Sequence, residues 1–93
     1  MVTTSLSLPL IQFSMKEIIL ERYGDDEFLL ADGFDEAIIG FDEQGWRVIY
    51  SVRKCIDMLM KDMSELEAIE YFAYNVSGAY VGEKTPIWCY DLV

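Results

Sequence analysis

Apolar residues recur at three- and four-residue steps in two consecutive series through 51–77. In the first, Val52, Cys55, Ile56, Leu59, Met60 and Met63 share one side, while Arg53, Lys54, Asp57 and Lys61 fall on the other. In the second, Leu66, Ile69, Phe72, Ala73 and Val76 repeat the rhythm. Between them Ser64 is followed three residues later by Glu67, the spacing at which each side chain caps the other residue's backbone N–H. The pattern predicts helices over 51–62 and 64–77, with Gly78 supplying the left-handed residue that closes the second.

The flanks read as strands that need such a helical layer. Runs 37–41 and 46–50 are β-prone and separated by Asp42-Glu43-Gln44-Gly45, a hairpin loop in which Gly45 is expected to take the left-handed conformation. A shorter apolar run at 28–31 lies between Asp25-Asp26-Glu27 and the Asp32-Gly33 turn and predicts one more strand. Pro86 opens a last strand at 86–91, where its missing N–H does least harm. Upstream, Ser14 and Glu17 repeat the capping pattern, predicting a helix over 15–23 with Ile18, Ile19 and Tyr23 on one side and Gly24 at its end. The fold class is therefore α+β: a small, mainly antiparallel sheet, made of the 37–50 hairpin and the 86–91 strand, covered on one face by the helix pair.

Residues 1–14 stand apart, because 1–13 carry no charge and Pro9 interrupts any helix. They read as a variable extension, a loose arm or an edge strand, preceding a single domain over 15–93. At 93 residues there is no room for a second core, and a hydrophobic content of 53% gives ample apolar surface for one. Cys55 and Cys89 lack a CxxC spacing and read as buried free thiols of a reducing compartment. No apolar run approaches the roughly 18 residues of a membrane span, and the start of the chain lacks the basic region of a secretory signal.

Charge narrows the partners. Seventeen acidic against seven basic residues give a net charge of −10, which disfavours nucleic-acid phosphates and anionic membranes and favours a protein with a basic surface. Histidine is absent, which removes the usual neutral-pH general base, Ser-His and Cys-His nucleophile pairs and common zinc sites. No nucleotide loop or other cofactor motif is present, so neither catalysis nor a cofactor is expected.

What remains is carboxylate. Between Arg22 and Arg47 lie Asp25, Asp26, Glu27, Asp32, Asp35, Glu36, Asp42 and Glu43 with no lysine or arginine among them. A calcium or magnesium site would need the ordered spacing that aims oxygens at one ion, which is missing. An acidic recognition face and a merely solvated face both fit the stretch. Tyr71, Tyr74, Tyr80 and Tyr90 are a second set of candidates, since tyrosine is enriched at interface centres. Tyr71 and Tyr74 share a helix side, and their rings are expected to complete the core with hydroxyls outward. A small polar pocket could also form where Asp32 and Asp35 meet Asn75, Ser77, Gly78 and the 82–85 turn, serving a small ligand or carboxylate chemistry.

The segments ADGFDEAIIGFD at 31–42 and RVIYSVRKCIDMLMKDMSELEAIEYFAYNVSGAYVGEKTPIW at 47–88 resemble a group of small proteins encoded by tailed bacteriophages, cyanophages included. The most specific pieces are Asp32–Asp35, the run 67–83 and Thr85-Pro86; residues 1–14 fall outside the likeness. The resemblance supplies no catalytic residue. It implies an accessory protein acting in the bacterial host cytoplasm. With the acidity, the expectation is a non-enzymatic protein that binds and inhibits or redirects a host protein, such as a nucleic-acid-handling or defence enzyme, through Asp25, Asp26, Glu27, Asp32, Asp35, Glu36, Asp42, Glu43, Tyr71 and Tyr74.

Overall fold

Ser14 and Ser64 each open a helix by the same reciprocal pair of bonds. Ser14 Oγ accepts from the Glu17 N–H at 3.2 Å and its own N–H donates to Glu17 Oε1 at 2.8 Å; at Ser64 and Glu67 the corresponding distances are 3.2 and 3.0 Å. The computed structural model describes residues 14–24, 28–79 and 82–91. The element order is α1 (Met15–Tyr23), β1 (Ile38–Asp42), β2 (Arg47–Ser51), α2 (Val52–Leu59), α3 (Glu65–Phe72) and β3 (Ile87–Cys89), with a 3-10 turn at Asp35–Ala37 and a π-helical turn at Ala73–Ser77. Replacing Ser64 by alanine is expected to lower stability by about 0.5–2 kcal/mol in urea melts, because the cap's acceptor disappears while the helix remains.

The three strands form one mixed sheet in the order β1-β2-β3, antiparallel in most of its pairing. β1 and β2 make the expected hairpin, pairing Ile38 with Tyr50 and Asp42 with Arg47 around a bulge between Ile38 and Gly40. β3 lies parallel on the other edge of β2, with Tyr50 opposite Trp88 and Ser51 opposite Cys89. Returning a strand in parallel needs a long connection, and α2 and α3 are that crossover. Ser51 fastens its start: the Oγ caps the Lys54 N–H at 3.0 Å and donates to Asp91 Oδ2 at 2.5 Å, while Asp91 Oδ1 accepts from the Arg53 N–H at 3.2 Å. The core holds Ile19, Phe28, Phe34, Ala37, Ile38, Val48, Tyr50, Cys55 and Phe72.

Several local expectations are corrected. Residues 28–31 form no strand; Phe28 is buried in a bend, and the Ala31 N–H donates to the Tyr50 hydroxyl at 2.7 Å instead of to a sheet ladder. Leu66 (66% exposed), Ile69 (48%) and Met60 point outward, as does Ile18 on α1. On α3 the buried pair is Ala68 and Phe72, since the apolar arc is wider than the surface the core can cover.

Neither Gly45 nor Gly78 has a left-handed backbone: a side chain at Gly45 would displace the ends of two flexible side chains, and one at Gly78 would strike backbone. At the hairpin the residue at positive φ is Trp46 (φ 59°), whereas a Cβ on Gly45 would fall 2.5 Å from Asp42 Oδ2 and 2.9 Å from Arg47 Nε. Gly78 ends the second helix at φ −81°, and a Cβ there would meet the Ala73 carbonyl oxygen at 2.8 Å. The predicted arm or edge strand at 1–13, the acidic run Asp25-Asp26-Glu27 and Tyr80 lie outside the described residues. Among the described residues no helix is long and apolar enough to cross a membrane.

Candidate functional site

The described acids of the 25–43 stretch fall in three separate places, and most are already engaged. At the hairpin turn Asp42 Oδ1 accepts from the Gln44 N–H at 3.1 Å and Asp42 Oδ2 faces Arg47 NH2 at 3.4 Å. The backbone N–H groups of Gly45 and Gln44, with Arg47, hold its carboxyl below the ordinary range. Glu43 accepts from the Tyr23 hydroxyl, a bond that raises the Tyr23 phenol. Against α1, Asp35 Oδ2 pairs with Lys16 Nζ at 3.0 Å. Only Asp32 and Glu36 are exposed and without a hydrogen bond or ion pair among the described residues.

Asp32 nevertheless meets the helical segment. The 29–34 loop and the π-helical turn form the two walls of a trough. One end is a cavity of about 240 Å³ lined by Leu29, Phe34, Pro86 and Trp88; the other, about 500 Å³, is lined by Met58, Leu59, Lys61, Asp62 and Tyr71. Asp32, Phe34, Asn75 and Val76 line both. π turns are uncommon and frequent at functional sites. Here the turn supplies Asn75 and Val76 to the trough, with Asn75 Nδ2 bonded to the Tyr71 carbonyl at 3.3 Å. The opposite wall is fixed by the Ala31 to Tyr50 bond and by the Phe34 N–H to Ala31 carbonyl bond of 3.3 Å.

The structure thus brings Asp32, Asn75 and Tyr71 together and leaves Asp35 and Glu83 out. Thr85 Oγ1 closes its own turn on the Gly82 carbonyl at 2.6 Å, and Lys84 Nζ reaches the Gly45 carbonyl at 3.1 Å. Tyr71 (45% exposed) and Tyr74 (84%) do not complete the core: both line an adjoining hollow with Glu67 and Glu70. Phe34 and Trp88 are site residues that sequence reasoning passed over. Their only signal was position, beside the Asp32-Gly33 turn and just after Pro86. Both tryptophan indole nitrogens are buried without an acceptor among the described residues.

The remaining perturbed groups are structural. Glu67 is held low by the Ser64 N–H and hydroxyl, and Asp91 by the Ser51 hydroxyl and then by the Arg53 N–H. Burial pushes the Tyr50 phenol and the Cys55 thiol up to about 12. For the lowered carboxyls the unfolded chain binds more protons, so stability rises with pH. Their contribution is complete above about pH 5 and is lost as acid carries the protein through the lowered native values. For Tyr50 and Cys55 the folded chain keeps its protons longer, so stability declines as pH climbs from about 8.5 toward 12. Thermal melts across pH should show a plateau between these limbs.

Among the described residues no three histidine, cysteine, aspartate or glutamate side chains are grouped to hold a metal ion. Compared with protein-family models, curated proteins and solved structures, the chain gives no match.

Proposed function

We propose that the chain is a non-enzymatic accessory protein that binds a basic surface on another protein and thereby inhibits or redirects it. In the setting implied by the resemblance, it is a phage protein and the partner a nucleic-acid-handling or defence enzyme in the host cytoplasm. The observation that carries the reading is that Asp32 and Tyr71, candidates from separate stretches, line one open trough. Interfaces commonly combine an aromatic anchor with charge that steers the encounter. A net charge of −10 supplies the long-range part.

Capture from bacterial lysate with tagged protein identifies the partner. Asp42 and Glu43 are poor choices for testing steering, because Asp42 holds the hairpin turn and Glu43 holds Tyr23. Asp32→Asn with Glu36→Gln leaves those bonds intact. The double variant should associate several-fold more slowly with little change in dissociation, and raising salt from about 50 to 200 mM should weaken the wild type more than the variant. Equal salt responses would assign these acids to a solvated surface only.

A second reading is favoured by the convergence of Asp32 and Asn75 on the larger end of the trough, which at about 500 Å³ is of small-molecule size: a small ligand, mostly apolar, oriented by those two polar groups. It predicts that the purified protein carries or takes up such a molecule, detectable by native mass spectrometry.

A further inference from the structure

We infer that the trough between the 29–34 loop and the π-helical turn seats a cationic, apolar-anchored peptide segment of the partner, with a lysine or arginine at Asp32. The inference rests on the reading that the chain binds a basic protein, and it assigns the place and the chemistry. Three observations carry it.

The first is shape. The two hollows share Asp32, Phe34, Asn75 and Val76, so they adjoin along those four residues and lie within reach of one extended segment. The Trp88 end, at about 240 Å³, is smaller than the roughly 300–1,000 Å³ of typical small-molecule pockets. It suits one apolar side chain. The second end, floored by Met58 and Leu59 beside Tyr71, takes another. A chain segment can fill both, which a single compact ligand cannot.

The second is charge. Asp32, Asp62, Glu67 and Glu70 line the trough and its adjoining hollow, against Lys61 alone. Asp32 sits at the point common to both ends and has no ion pair among the described residues. A cation placed there gains an unused carboxylate without breaking an existing bond. An anionic segment would meet four like charges.

The third is that the walls are already built. Tyr50 and the Ala31–Phe34 turn hold one side, and the Asn75 to Tyr71 bond holds the other while leaving Asn75 Oδ1 open to accept a peptide N–H. A preformed track avoids much of the ordering cost of binding.

The test uses the full chain and a display library of random short peptides. Selected peptides are resynthesised, their affinities measured, and the two indole N–H signals followed by 1H–15N NMR. The expected peptides carry lysine or arginine next to leucine, isoleucine or an aromatic residue. They should shift the Trp88 signal and leave that of Trp46 in place. Asp32→Asn should weaken them about tenfold through the lost charge pair, whereas Asp57→Asn, an exposed acid outside the trough, should not. Basic peptides that bind with Trp88 unmoved and Asp32→Asn silent overturn the trough assignment and leave the acidic-surface reading standing. Uncharged peptides that move Trp88 but ignore Asp32→Asn overturn the cationic occupant. Selection of acidic peptides only, or of none, overturns the inference, while the reading beneath it stands or falls on the salt response of the captured partner.

Discussion

Phe72→Ala is expected to lower unfolding free energy by about 3–5 kcal/mol, the range for removing a large buried ring. Phe72 is 3% exposed, sits in the central cluster, and meets Trp88 edge-on with ring centroids 5.3 Å apart. It is the ring through which α3 bears on β3. Its loss leaves a cavity at the place where the crossover closes onto the sheet, and it removes support from behind the Trp88 end of the trough. Urea melts measure the cost; a loss below about 1 kcal/mol would mean that Phe72 lies outside the working core. Leu66→Ala, on the exposed side of the same helix, should change stability by no more than about 0.5 kcal/mol.

Tyr50→Phe is expected to cost about 1–3 kcal/mol, for a different reason. The phenyl ring can keep its packing on Trp88, with centroids 5.1 Å apart, so little apolar burial is lost. What disappears is the acceptor for the Ala31 N–H at 2.7 Å, leaving a donor without a partner beside a fully buried ring. Because that bond anchors the 29–34 loop, hydrogen exchange at Ala31 should accelerate more than exchange in β1 or β2. Uniform acceleration would mean that the bond supports global stability only. The variant also removes the buried phenol, so the alkaline limb of the stability profile should become shallower.

The elements that sequence made legible are those defined by local chemistry. Ser14 with Glu17 and Ser64 with Glu67 mark helix starts because the bonds they make span only three residues. The hairpin, the two-helix layer, the α+β class and the last strand follow from similar short-range signals. Three features were hidden because they depend on what lies across space. The 28–31 run looks strand-like until the Tyr50 hydroxyl takes the Ala31 N–H. Leu66 and Ile69 keep helical rhythm with Phe72, but rhythm does not say which edge of a wide apolar arc the core covers. Gly45 drew the left-handed assignment that belongs to Trp46, which is half-buried and packs against Tyr23 and Phe41, with ring centroids 5.2 and 5.3 Å away.

The candidate site divided along the same line. Composition identified acid as the main resource, but most of the described acids of the 25–43 stretch proved to serve turns and neighbouring side chains. Asp32 and Tyr71 were visible one at a time; their shared trough was not, because Phe34 and Trp88 enter it through tertiary packing.

The parallel placement of β3 imposes an order of assembly. β1 and β2 are joined by a tight turn and can zip locally, but β2 cannot satisfy its second edge until 87–89 return after both crossover helices. Synthesis proceeds from the N-terminal end, so 38–51 emerge before 87–89, and a hairpin that zips in that interval does so with the far edge of β2 bare. A bare edge pairs with any strand offered to it, including the same edge of another chain. Refolding yield should therefore fall as protein concentration rises, and the damage is set by how quickly α2 and α3 deliver β3 rather than by how stable the finished molecule is.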